Sequence, residues 1–157
     1  RRMKRVLSLL FVILTIALSA LAKSNNMPKY DITGAGSGNE GMVLVKVFVY
    51  TKSANDQDLK RAAVHGIVFR GCTGNNSGAR QPAMASAETE ASHAEYCREF
   101  FAPTGECQNY ASIIAGSYER VKTAKGYKCG AIVQVNKVAL RKTLETAGVV
   151  RSLSSGF

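Results

Sequence analysis

The stretch MVLVKVFVYTKSANDQDLKRAAVHGIVFRG, from Met42 to Gly71, decides the fold. Its first part, 42–52, is rich in valine with Phe and Tyr, which is typical of a buried or half-buried strand. Asn55 and Asp56 are residue types that cap helices. Small and aliphatic side chains then recur at helical spacing, at Leu59, Ala62, Ala63, Gly66 and Ile67. The stretch therefore predicts a strand that turns directly into a helix, and the helix folds back over the strand.

Residues 1–22 have the three parts of a secretory signal peptide. Four basic residues lie within the first five positions, an apolar run covers 6–20, and Ala20-Leu21-Ala22 matches the small-residue cleavage pattern. We expect cleavage after Ala22 and export of 23–157 to the periplasm or out of the cell. An uncleaved N-terminal anchor is the alternative. No second hydrophobic span follows, so we expect the mature domain not to span a membrane.

Charge argues against one class of partner. The chain has a net charge of +10, but four of its 21 basic residues fall within 1–22, which leaves 17 against 11 acidic residues, or +6, for 23–157. The positive charge is scattered, with a mild concentration between Arg120 and Lys142, and aromatics are not interleaved with it. This pattern predicts no nucleic-acid binding. It suits anionic envelope polymers or lipid head groups, or simply keeps the protein soluble.

The remaining segments predict a single α+β domain over 23–157, with a flexible N-terminal lead-in and a C-terminal tail from 152. The glycine-rich stretch Gly34–Gly41 contains G-x-G-x-x-G, but a strand follows it rather than a helix, so we interpret it as a hairpin loop and not a dinucleotide site. The patterns predict a short strand at 30–33, helices at 86–102 and 138–147, and strands at 110–122 and 127–138 joined by a tight turn. We expect an antiparallel or mixed sheet of about four strands with helices packed on one face, in the order β-β-α-α-β-β-α.

Four cysteines remain in the exported part, and an even number in such a protein suggests two disulfides. We predict Cys97–Cys107, which clips a helix to the loop after it, and Cys72–Cys129, which ties the first helix to the last hairpin. Other pairings and free buried thiols stay open. A zinc site is disfavoured because no C-x-x-C is present and neither histidine has finger spacing from a cysteine pair.

Few residues suggest catalysis, so the sequence names no catalytic, cofactor-binding or metal-binding residue. Cys97 lies one helical turn after His93, which would place a thiol beside a base if that cysteine were not in a disulfide. The segments DITGAGSG, GMVLVKVFVYTK, DLKRAAVHGIVFRG and YKCGAIVQVNKVALRKTLETAGVV resemble a group of uncharacterised short exported proteins of Gram-negative bacteria. The layout is also similar to small envelope domains of flagellar-assembly and lipoprotein accessory proteins, without the lipid-anchor cysteine.

Two functional hypotheses follow. The first is an exported, non-enzymatic cell-envelope domain that binds a protein or an envelope polymer. The second is a small exported hydrolase whose site lies between the Gly34–Gly41 loop and the long polar loop Cys72–Ala87. The second hypothesis requires a concave site where Asp31, Glu40 or His93 converge.

Overall fold

A computed structural model describes residues 27–74 and 80–153. The predicted signal peptide, residues 75–79 of the long polar loop and the last four residues of the predicted tail lie outside the described residues. The elements are, in chain order, β1 (Tyr30–Ser37), β2 (Met42–Val49), α1 (Asp56–His65), a π-helical segment (Gly66–Arg70), α2 (Ala87–Ser92), α3 (Ala94–Phe100), a 3-10 helix (Glu106–Tyr110), β3 (Ala111–Ile113), β4 (Glu119–Thr123), β5 (Gly126–Asn136) and α4 (Lys137–Thr146).

The sheet is antiparallel, and β5 is its central strand. All of strand β2 pairs with one side of β5, and β1 pairs with the far side of β2. On the other side of β5, β4 pairs with the first part of the strand and β3 with the last part. The α+β class and the general order of elements are confirmed, but the described residues form five strands rather than four.

The fifth strand arises because the predicted strand 110–122 is interrupted. The Ser117 hydroxyl accepts a hydrogen bond from the Ile132 amide at 3.0 Å and itself donates to the Ile114 carbonyl at 2.6 Å. A side chain thus replaces a backbone partner in the ladder, and Gly116 turns the chain with a φ of 75°. The segment therefore divides into β3 and β4, both of which pair with the same neighbour.

Helix α1 and its π-helical continuation pack on one face of the sheet, here called the inner face. Leu59, Ala63 and Ile67 are buried, as the helical spacing predicts, and alternate valines of β2 and β5 are buried beneath the helix. Asn55 caps α1, with its side-chain oxygen 2.8 Å from the Asp58 amide. At Gly66 a Cβ would lie 2.6 Å from Ile32 Cδ1, so glycine lets the helix approach β1 closely.

The predicted helix 86–102 is two helices. The Ser92 hydroxyl and the His93 ring both bond the Thr89 carbonyl oxygen, at 3.0 Å each. Side chains that compete for a backbone acceptor weaken a helix at that point, and His93 separates α2 from α3 with φ of −114°. Ser86 caps α2 as the predicted start requires. Helix α2 contributes no buried residue, whereas α3 buries Cys97 and Phe100.

The first half of the glycine-rich stretch is strand. Residues 34–37 belong to β1, with a bulge between Gly34 and Gly36, and only the residues after Ser37 form the hairpin turn. The Gly41 carbonyl accepts from the amides of Lys137 and Val138, so the turn contacts the first residues of α4. Within the described residues, no helix is long and apolar enough to cross a membrane.

Candidate binding surface

The outer face of the sheet, opposite α1, carries the most distinctive side chains. Strand alternation directs the following residues to this face: Asp31 and Thr33 of β1, Leu44, Lys46 and Phe48 of β2, Glu119 and Val121 of β4, and Lys128, Gly130 and Ile132 of β5. Apart from Gly130, none of these residues is buried. The described part of the chain therefore leaves this face of the sheet uncovered.

Phe48 lies on the outer face, directly opposite Gly130 of β5. A Cβ at Gly130 would lie 2.6 Å from the Phe48 ring, so the absence of a side chain there makes room for the ring. The ammonium groups of Lys128 and Lys46 lie 4.5 Å and 5.3 Å from the ring centroid. These are cation–π distances, so cations from two neighbouring strands bracket one aromatic ring.

Acidic side chains hold these cations in place. Lys46 pairs with Glu119 at 2.6 Å and Lys128 pairs with Asp31 at 3.8 Å. Asp31 also accepts from the Tyr50 hydroxyl at 2.6 Å, and this hydrogen bond raises the pKa of Tyr50. Exposed ion pairs contribute little to stability. Their effect here is to arrange aromatic and charged groups in a fixed pattern on an open face.

The β4–β5 hairpin carries positive charge on the other side of the sheet, because Arg120 and Lys122 alternate with the outer-face residues Glu119 and Val121. Arg120, Lys122 and Lys125 are exposed, and Lys52 is brought beside them because the Cys129 thiol lies 3.4 Å from the Lys52 carbonyl oxygen. None of these four cations forms an ion pair with another described residue. We call Lys52, Arg120, Lys122 and Lys125 the basic hairpin surface.

One aromatic and one acidic residue adjoin this surface. The Arg120 guanidinium lies over the ring of Tyr127, 4.1 Å from its centroid. Asp56, at the start of α1, accepts a 2.7 Å hydrogen bond from the Tyr118 hydroxyl. The neighbouring carboxylate is thus held by a tyrosine rather than by a hairpin cation.

A second cluster lies inside the protein, around His65 at the end of α1. The His65 Nε2 atom is 2.7 Å from the Glu90 carboxylate and Nδ1 is 2.6 Å from the Tyr30 hydroxyl. A carboxylate can only accept, so Nε2 carries a proton and Nδ1 accepts from Tyr30. This arrangement satisfies a neutral imidazole, and burial lowers the pKa of His65 although Glu90 opposes the shift.

The order carboxylate, histidine, hydroxyl is that of a nucleophile with its base, but its hydroxyl end is closed. Tyr30 is only 3% exposed, and burial raises the pKa of its hydroxyl. A buried, protonated phenol is a poor nucleophile and is out of reach of a substrate. The cluster instead connects α2 to the core, because Glu90 belongs to a helix that buries no residue of its own.

The acids and histidine required by the hydrolase hypothesis do not meet. The two loops do touch, since the Gly34 amide donates to the Thr73 carbonyl at 2.9 Å. However, Asp31 lies at one end of β1 on the outer face, and Glu40 lies in the turn at the other end, about 20 Å away at 3.3 Å per residue. His93 lies between α2 and α3, on the inner side of the sheet.

The four cysteines are free thiols in this structure, which therefore forms neither predicted disulfide. Cys72 pairs with Gln81 and precedes the Thr73–Gly34 contact, whereas Cys129 lies opposite Val49. The Cys72 segment thus meets the sheet at Gly34, which lies opposite Val45 of β2, and Val45 in turn lies opposite Val133 of β5. Val133 is four residues from Cys129, or about 13 Å along β5, so the segment of Cys72 meets the sheet away from Cys129. Cys129 does lie on the same face as the buried Ala131 and Val133, as predicted, but at its less covered end.

Cys97 is not arranged as a nucleophile beside His93. The His93 ring is bonded to Thr89 and Ser92, its own helical neighbours. Burial and the nearby Glu90 carboxylate raise the pKa of Cys97 to about 11. An activated cysteine needs a lowered pKa, so the environment of Cys97 protects the thiol instead of activating it.

Sequence alternation could identify the outer face but not its contacts. Lys46, Phe48 and Tyr50 alternate with the buried valines, and Lys128 and Gly130 alternate with Cys129 and Ala131, so both outer sets can be read from the pattern. The alternation does not show which strands are neighbours, and it is the pairing of β2 with β5 that brings Lys128 onto Phe48. The Glu90–His65–Tyr30 contacts join three distant segments and have no sequence signal.

Comparison with known proteins gives no relative for this arrangement. No family model, no curated protein sequence and no solved structure matches the chain.

Proposed function

We propose that this chain is an exported, non-enzymatic domain of the cell envelope that binds a protein or an envelope polymer through the outer face of its sheet. The observation that carries the proposal is the open face itself, with Phe48 between two lysines and next to Tyr50. Aromatic rings with neighbouring polar and charged groups supply contact area together with specificity. The signal-peptide pattern of residues 1–22 supports a location in the envelope.

The arrangement of the titratable groups supports binding rather than catalysis. The histidine with a carboxylate partner, His65, is buried and its hydroxyl neighbour is closed off. The acids of the outer face, Asp31 and Glu119, are engaged with lysines. A hydrolase needs an acid or base free to exchange protons with substrate, and the outer face presents paired charges instead.

The test uses the exported protein, immobilised and incubated with isolated envelope material separated into protein and polymer fractions. We compare it with Phe48→Ala, which removes the central ring, and with Val138→Ala, which shortens an apolar side chain that is 64% exposed on α4. We expect the wild-type protein to retain one of the two fractions. Phe48→Ala should retain at least tenfold less of that fraction than wild type, and Val138→Ala should retain as much as wild type. If neither fraction is retained while the protein hydrolyses a substrate in an activity screen, the proposal is wrong.

A further inference from the structure

We infer that the basic hairpin surface binds an anionic polysaccharide. This inference rests on the binding role proposed above, to which it adds a second contact region and a chemical class of ligand. It concerns Lys52, Arg120, Lys122 and Lys125, which lie at one end of the sheet.

The pairing of strands brings these cations close together. Arg120 lies opposite Cys129 and Lys122 opposite Tyr127, while Lys125 is in the turn between β4 and β5. Neighbouring like charges repel each other, and no described carboxylate pairs with them to offset that repulsion. A ligand with several negative charges would relieve the repulsion at several positions together, which favours a polymer over a single anion.

The surroundings of the cations favour carboxylate or sulfate groups over nucleic-acid bases. Single-stranded nucleic acids bind by stacking bases on aromatic rings as well as by charge. Here Arg120 lies over Tyr127, and Lys29 lies 4.8 Å from the centroid of the Tyr50 ring. The rings of Tyr127 and Tyr50 are in contact with cations, whereas Tyr118 adjoins the surface with its side chain 55% exposed and its hydroxyl bonded to Asp56. The surface thus offers four cations for anion contacts against one adjoining exposed ring, and the oligonucleotide probe below tests whether a base stacks there.

The tip of the hairpin also disfavours a lipid surface as the partner. The turn reads Thr123-Ala124-Lys125-Gly126 and contains no large apolar side chain. Interfacial binding to lipid needs Leu, Phe or Trp side chains that enter the acyl boundary beside the basic residues. A hydrated polyanion requires no such insertion.

The experiment measures binding of the exported protein to polygalacturonate, a carboxylated polysaccharide, at two salt concentrations. Uncharged dextran, a single-stranded oligonucleotide and phosphatidylglycerol vesicles are the comparison probes. The test variant is Lys122→Gln with Lys125→Gln. The matched control is Arg80→Gln with Lys142→Gln, which removes the same charge from exposed positions elsewhere.

We expect polygalacturonate to bind more tightly than the other probes and to weaken as salt rises. The hairpin variant should bind it at least tenfold more weakly, and the control less than twofold. Equal losses in both variants would show attraction by net charge alone and overturn the inference. So would an absence of binding, or tighter binding of the oligonucleotide or vesicles. If polygalacturonate fails while Phe48→Ala still abolishes retention of envelope material, the proposed function stands without this ligand.

Discussion

Replacing Ile67 with alanine tests whether the helical layer packs on the sheet as described. Ile67 lies in the π-helical segment, is 2% exposed and belongs to the buried cluster that includes Val45 and Val47. The substitution removes three buried carbons, a loss of roughly 2.4 kcal/mol at about 0.8 kcal/mol each. The cavity left between two rigid layers raises the expected cost to about 3–4 kcal/mol.

That cost is large beside the roughly 5–15 kcal/mol that stabilises a typical domain, but it leaves the protein folded. The assay is urea denaturation followed by circular dichroism, on wild type, Ile67→Ala and the exposed control Val138→Ala. The control should change the free energy of unfolding by less than about 0.5 kcal/mol. Ile67→Asp adds an unpaired buried charge and should cost several kcal/mol more. A loss below about 1 kcal/mol for Ile67→Ala would refute the packing of this segment.

Three further predictions concern the buried groups. The first concerns His65, whose pKa is lower in the folded protein, so the neutral ring contributes stability above the unfolded pKa of about 6.5, and this contribution is lost as pH falls toward the folded pKa. Urea titrations from pH 7 to 5 should therefore show a declining free energy of unfolding. If that free energy declines as steeply with pH in His65→Gln, the decline does not come from His65. The second is that Glu90→Ala should speed amide hydrogen exchange in α2 and leave exchange in β5 unchanged, since Glu90 joins α2 to His65. If the amides of α2 exchange equally slowly in wild type and variant, Glu90 does not hold this helix. The third is that in reduced protein at pH 8, Cys129 should react with iodoacetamide faster than Cys97 or Cys107, because burial raises the pKa values of those two thiols to about 11. Equal reaction rates would contradict it. Non-reducing peptide mapping of the oxidised protein decides separately whether the predicted Cys97–Cys107 and Cys72–Cys129 disulfides form.

The sequence predicts the layers of this fold because burial imposes simple periods. Alternation in 42–49 and 127–136 identifies the inner and outer sides of both strands, and the helical spacing of Leu59, Ala63 and Ile67 identifies a buried stripe. Helix α1 is nevertheless buried more completely than one stripe implies, since every residue of 61–69 is buried. The sheet covers one side of it, while aromatic residues such as Phe101 cover the other.

The errors in prediction arise where side chains bond the backbone. Ser117 divides one predicted strand into two, and Ser92 with His93 divides one predicted helix into two. Both breaks depend on hydrogen bonds from side chains to the backbone, and a serine or histidine can form such a bond or point elsewhere. Hydrophobic periodicity does not show whether the bond forms. The predicted disulfides depend instead on which segments are neighbours, which is a property of the complete sheet, and they stay a prediction that peptide mapping tests.

The division of the molecule into two faces separates the residues that stabilise the fold from those that we propose to bind a partner. The inner face holds the valines, α1 and the His65 cluster, and substitutions there remove buried contacts or leave polar groups without partners. The outer face holds Phe48, Lys46 and Lys128 in surface contacts that contribute little to stability. Side chains whose replacement hardly affects folding are free to be selected for a partner. Because the fold does not require the aromatic and charged contacts of the outer face, they support the binding role that we propose for it.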